Sequence, residues 1–80
     1  MKVSQFEVKN QFILRDGDIT YLQSYESIIV KKERGFIVLD EYYWDWSRTT
    51  GKYRNRFLGE KKRETQRKID SGEYKLANLN

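Results

Sequence analysis

The sequence predicts an α+β domain: an antiparallel β-meander of three to five strands, followed by two short helices and a C-terminal strand able to return to the sheet. Three observations predict it. Short runs of β-branched and aromatic residues between residues 12 and 44 are separated by turn signals at Asp16-Gly17 and Glu33-Arg34-Gly35, the pattern of strands joined by hairpins. At Ser47 the period changes, because Thr49, Tyr53 and Phe57 recur at four-residue spacing, which places them on one side of a helix. A polar stretch, Glu60 to Ser71, then carries charge pairs at helical spacing before Ser71-Gly72 stops it.

The elements follow in chain order. Residues 2 to 8 form a first strand, with Val3 and Phe6 out of strict alternation. Phe12-Ile13-Leu14 and Ile19 to Leu22 flank the Asp16-Gly17 turn and make a hairpin. Ser27 to Glu33 pairs with Phe36 to Tyr43, and strand character extends to Trp44. Ser47 suits the helix cap, since its hydroxyl can accept from a backbone N–H that has no partner within the helix. The first helix runs from Arg48 to Leu58 and ends at Gly59, which can take the left-handed conformation. Gly51 sits in its first turn and costs about 1 kcal/mol relative to alanine, so a start displaced to Thr50 is the alternative. In the second helix Glu60 is spaced to meet Arg63, and Glu64 to meet Arg67 or Lys68. Tyr74 and Leu76 alternate with Lys75 as a closing strand.

Length and composition bound the function. The 80 residues make one domain, residues 1–80, with no repeat or linker. A core of this size contributes only about 3 to 5 kcal/mol net. The chain holds no Cys and no His, so disulfides, the usual transition-metal ligands, histidine bases and the common nucleophilic triads are all missing. Aromatic residues, 15% of the chain, are the expected substitute for a staple, and self-association into a homo-oligomer is the other route. Nothing points to a cofactor or an enzyme. No apolar run has the length of a signal peptide or a membrane span, so a soluble intracellular protein without a membrane partner is expected. Asp40, Glu41 and Asp45 lie close in sequence and read as solvated surface charges, a divalent-cation site being the minor reading.

Charge is unevenly distributed. Residues 1–47 carry six Lys/Arg against eight Asp/Glu, whereas residues 48–80 carry ten against four. Arg48, Lys52 and Arg56 form one helical stripe, and Lys61, Lys62, Arg63, Arg67 and Lys68 continue the basic character. The bland reading is a solvated helix face. The sharper one is phosphate contact, for which such a density of cations is suited. Two helices joined at Gly59 are also compatible with a helix-turn-helix. Tyr42, Tyr43, Trp44 and Trp46 read either as core or as a surface that stacks on unpaired bases or anchors a partner. In an extended chain Trp44 and Trp46 share one face and Tyr43 and Asp45 the other. Trp44 is the best core candidate, and Tyr43 and Trp46 join the basic residues as candidate binding positions.

Four segments carry a resemblance: Ser24-Tyr25-Glu26-Ser27-Ile28-Ile29; Tyr43-Trp44-Asp45-Trp46-Ser47-Arg48-Thr49-Thr50-Gly51-Lys52-Tyr53; Phe57-Leu58-Gly59-Glu60; and Lys68 to Leu76. Over roughly residues 20 to 80, with residues 1 to 19 outside, they resemble a family of small phage and prophage proteins of unknown function. The Trp-Asp-aromatic-Ser-x-Thr-Thr-x-Lys run is its most specific part. The resemblance implies a mobile-element origin and action in the cytoplasm of a host bacterium, and it carries over no catalytic residue. Many proteins of that class disarm host machinery, CRISPR nucleases included. The expected function is therefore an accessory protein that binds and inhibits or modulates a bacterial nucleoprotein. The alternative is a direct DNA- or RNA-binding protein of phage replication or regulation, and a structural or self-assembling role is third.

Overall fold

The computed structural model describes residues 1–80. Six strands form one sheet in the order in which they occur in the chain: β1 (Lys2–Gln5), β2 (Gln11–Asp16), β3 (Ile19–Ser24), β4 (Ser27–Glu33), β5 (Phe36–Asp40) and β6 (Lys75–Ala77). The first five pair antiparallel, as the meander predicts. β6 returns parallel to β5 after the chain has crossed through α1 (Arg48–Leu58) and α2 (Lys62–Ser71).

One cross-strand row carries the core. Ile13, Leu22, Val30 and Leu39 stand opposite one another in successive strands, so their side chains share a face, and all four are buried. The register shifts between Leu22 and Gln23, whose partners are Val30 and Ile28. Ile29 is thus the extra residue of a bulge, which is why two consecutive residues, Ile29 and Val30, both enter the core. The Arg34-Gly35 turn has φ of 32° and 80°. Two positive φ values match the strand twist of a tight hairpin, and glycine takes the second at no steric cost.

α1 packs over β3 and β4. Ser47 caps it by accepting from the Thr50 backbone N–H at 3.2 Å, and Gly59, with φ 69°, ends it in the left-handed conformation. Its inner face is Thr50, Tyr53 and Arg54, all buried, with Phe57 half-buried. Thr49, expected on the same side as Tyr53 and Phe57, is exposed. The inner face starts one residue later, at the i, i+3, i+4, i+7 positions counted from Thr50.

Several boundaries differ from expectation for identifiable reasons. β1 stops at Gln5 rather than residue 8, because Phe6 turns in to pack on Tyr53 and Phe57. β5 stops at Asp40 rather than Tyr43 or Trp44. The Asp40 carboxylate accepts from the backbone N–H groups of Tyr42 and Tyr43 at 3.0 and 2.8 Å, which turns residues 41–47 into a succession of bends. Trp44 and Trp46 therefore do not share a strand face. α2 begins at Lys62, leaving Glu60 in the connection.

Polar groups make up much of the interior. Gln11, Ser24, Asp40, Thr50, Arg54 and Thr65 are buried beside seven hydrophobic residues. So small an apolar core makes the hydrogen-bonding of these six groups decisive, since a buried polar group without a partner costs about 1 to 3 kcal/mol.

Candidate functional site

Arg48, Lys52 and Arg56, the stripe expected from sequence, stand along one groove of about 710 Å3. Lys62, from the start of α2, and Arg54 complete its cationic lining; no hydrophobic residue lines it, and Asp45 is its single carboxylate. Arg48 and Lys52 are exposed and make no ion pair, whereas Arg56 is paired with Glu7 and Lys62 bonds Asp45 at 2.6 Å. The groove keeps a net positive charge after these pairs are counted, which attracts anions.

Arg54 was not in the expected stripe, yet it holds the site together. It is 1% exposed. Its guanidinium donates to the Trp44 carbonyl at 2.7 Å, to Asp45 Oδ1 at 3.1 Å and to Asn55 Oδ1 at 2.9 Å, and it lies 5.2 Å from the centre of the Trp44 ring. Its Nε has no partner. One buried cation thus fixes the bends that carry the tryptophans and aims Asp45 between α1 and α2. Burial pushes the Asp45 carboxyl up, but hydrogen bonds from Lys62 and Arg54 and the charges of both outweigh it and hold the carboxyl below the usual range. Gly51 completes the floor: a Cβ there would lie 3.5 Å from Arg54 Nη2, ordinary packing distance.

The expected aromatic positions occupy the other side of the helix cap. Tyr43 and Trp46 line a pocket of about 170 Å3 together with Tyr25, Ser24, Ser47 and Thr50. Ser47 lines both this pocket and the basic groove. Trp46 is 58% exposed and is held by Tyr42 and Tyr43, each with its ring centre 5.3 Å away. Trp44 packs against the core, as expected of it.

α2 divides the remaining cations. Lys61, Arg63 and Arg67 are exposed and free of ion pairs. Lys68 is not available in the same way. Its expected partner was Glu64, but it donates to Glu60 Oε1 at 2.8 Å, where the Tyr74 hydroxyl also donates at 2.8 Å, while Thr65 donates to Oε2 at 2.6 Å. Burial raises the Glu60 pKa, but these donors and the Lys68 charge lower it further. The Glu60 hydrogen bond raises Lys68, and burial followed by Glu60 raises Tyr74. Glu60 serves α2 as a structural anchor through Lys68, whereas the spacing-expected pairs of Glu60 with Arg63 and of Glu64 with Arg67 or Lys68 do not form.

Asp40, expected as a solvated charge, is 1% exposed. Burial raises its pKa, yet donors from Leu79, Tyr43, Asn80 and Tyr42 outweigh this and lower it. Asp40 is committed to these N–H groups and Asp45 to Arg54 and Lys62, so the two do not converge on a cation. No group of three or more carboxylates is placed to hold a metal. A second basic groove, unexpected from sequence, lies on the uncovered end of the sheet, where Arg15, Lys32 and Arg34 meet Arg56 over Phe6 and Phe57. Asp18, paired with Arg34 at 2.8 Å, also lines this groove, whose residues come from four strands, the connections between strands and α1, which only the fold brings together.

A six-stranded sheet, one covering helix and a cationic groove beside an aromatic pocket define a small α+β domain with one strongly basic face. By its match over residues 1–73, the chain belongs to DUF8033, a family of unknown function. That match includes residues 1–19, which lay outside the resemblance to phage proteins, and ends before β6. No curated protein and no solved structure matches it. None of the helices is long and apolar enough to cross a membrane.

Proposed function

We propose that this chain is a non-enzymatic accessory protein of the phage type, which lays the basic groove of α1 on a bacterial nucleoprotein such as a defence nuclease and modulates it. The observation that carries this reading is the convergence of Arg48, Lys52 and Arg56 with Lys62 on a groove without apolar lining. Such a surface suits phosphate oxygens and acidic side chains, and would not serve as an apolar protein interface. The resemblance to phage proteins supplies the host setting. A second reading, direct binding to DNA or RNA, is favoured by the further cations Lys61, Arg63 and Arg67, which stand exposed on the neighbouring helix.

The test is retention of the nucleoprotein, and of naked nucleic acid, by the wild-type chain and by an Arg48→Glu, Lys52→Glu variant. Both positions are exposed, so the fold survives the change. The reading expects the variant to lose the nucleoprotein. Unchanged retention refutes it, and wild-type binding to naked nucleic acid that weakens steeply between about 50 and 200 mM salt moves the balance to the second reading.

A further inference from the structure

We infer that the aromatic pocket formed by Tyr25, Tyr43 and Trp46 receives one unpaired base of a single-stranded nucleic acid whose neighbouring phosphates lie in the basic groove; the inference rests on the polyanion reading of that groove. Size comes first. At about 170 Å3 the pocket is well below the roughly 300 to 1,000 Å3 of sites for drug-sized ligands, and suits one flat ring.

Its chemistry favours a base over an aliphatic side chain. Tyr25 and Trp46 are more than half exposed at its rim, while Ser24 and Thr50, each 3% exposed, lie at its floor beside Ile29, 1% exposed. Ser24 and Thr50 share a 3.3 Å hydrogen bond, and Ser47 donates to Thr50 at 3.3 Å. Aromatic faces at the rim and exchangeable hydroxyls below give a ring both stacking partners and a polar edge to meet.

Position adds a third argument. Ser47 borders both pocket and groove, and the next residue is Arg48, an unpaired cation of the groove. A base in the pocket therefore carries its phosphate toward positive charge, whereas duplex DNA presents no unstacked base there.

The walls are also held in advance. Trp46 is braced by Tyr42 and Tyr43. Tyr25 takes φ 56°, a left-handed conformation unfavourable for a bulky residue, in the two-residue turn between β3 and β4. Its backbone N–H donates to the Asn10 carbonyl at 2.7 Å and its own carbonyl accepts from Gln23 at 2.7 Å. A glycine would fit this turn better, so the ring stands where the backbone disfavours it.

The experiment compares a labelled oligothymidylate with an abasic oligonucleotide of equal length by fluorescence anisotropy. The wild type is expected to bind the base-bearing strand about 5- to 150-fold more tightly, the range of one stacked base. Trp46→Ala, at an exposed position, should erase that preference while leaving abasic binding intact. Tyr25→Gly should narrow it with a melting temperature equal to or above wild type, which separates loss of the wall from loss of the fold. Lys52→Glu should weaken both strands alike. Equal wild-type affinity for both strands, or tighter binding of duplex, overturns the base pocket and leaves the polyanion groove standing. Failure to bind any of these oligonucleotides overturns the pocket, and the carboxylate-directed form of the proposed function must then be met by an acidic protein alone.

Discussion

α1 and α2 carry similar densities of Lys and Arg, yet the fold uses them differently. On α1 a buried Arg54 anchors the helix to the bends before it, and this leaves Arg48 and Lys52 free at a groove. Just before α2, Glu60, half-buried with its side chain turned inward, anchors the helix through Lys68, and Lys61, Arg63 and Arg67 remain on an open surface without a concavity. Cation number is thus a poor guide to a binding face. What matters is which charge is spent inside, and whether the rest converge.

Substitutions at the two anchors can break this contrast, and the largest effect falls on α1. Arg54→Met removes a buried cation whose partners include the Trp44 carbonyl and Asp45. Urea unfolding should show a loss of about 2 to 3 kcal/mol, since three hydrogen bonds from a buried charged group disappear. Glu60→Gln should cost about 2 kcal/mol by the same measurement, because hydrogen bonds to charged groups are worth more than neutral ones. Polyanion binding at the groove should be little changed by Glu60→Gln, since Glu60 does not line it.

Acid tests the same anchors together. Asp40, Asp45 and Glu60 all have lowered pKa values, so the folded state binds fewer protons than the unfolded one as pH falls. Their stabilisation is complete above their ordinary values, near 3.8 and 4.5, and is lost as pH drops through the lower folded values. Thermal melting should decline in acid below about pH 4, and Glu60→Gln should flatten that decline. Tyr74, raised in the fold, acts in the opposite range: its contribution is present below its ordinary value of 10.0 and is lost as pH rises beyond it.

Smaller effects sharpen the picture. Gln11 is fully buried and neither of its amide atoms finds a partner. Gln11→Met, close in volume, should raise stability by about 1 to 2 kcal/mol. Gly51→Ala should add up to about 1 kcal/mol from helix propensity, since the new methyl meets Arg54 at packing distance. If the groove accepts a ligand down to its floor, the same change should weaken polyanion binding, and anisotropy reads this directly.

Much of the fold was legible. Alternation, Asp16-Gly17 and the Arg34-Gly35 turn located the hairpins, and Ser47 with Gly59 bounded α1, because each signal is local. The end of β5 was hidden, since Tyr42-Tyr43-Trp44 has strand composition and only the Asp40 side chain, folded back on its own backbone, stops the strand. Arg54 is hard to place from sequence although Thr50, Tyr53, Arg54 and Phe57 have inner-face spacing, because arginine is seldom buried unless several acceptors converge on it. Those acceptors come from the bends, whose conformation no period reveals. The stripe of Arg48, Lys52 and Arg56 was readable from spacing alone. The sheet-end groove and the role of Tyr25 were not, as both depend on strand register.

One carboxylate ties distant parts of the surface to a common fate. Asp40 receives the turn leading to Tyr43 and also the Leu79 backbone and the Asn80 amide, while Asn80 clasps both backbone groups of Ile28. Protonating or replacing that single group should therefore loosen the aromatic wall and unfasten the tail in one event, so that neither can be remodelled by evolution or by design without the other.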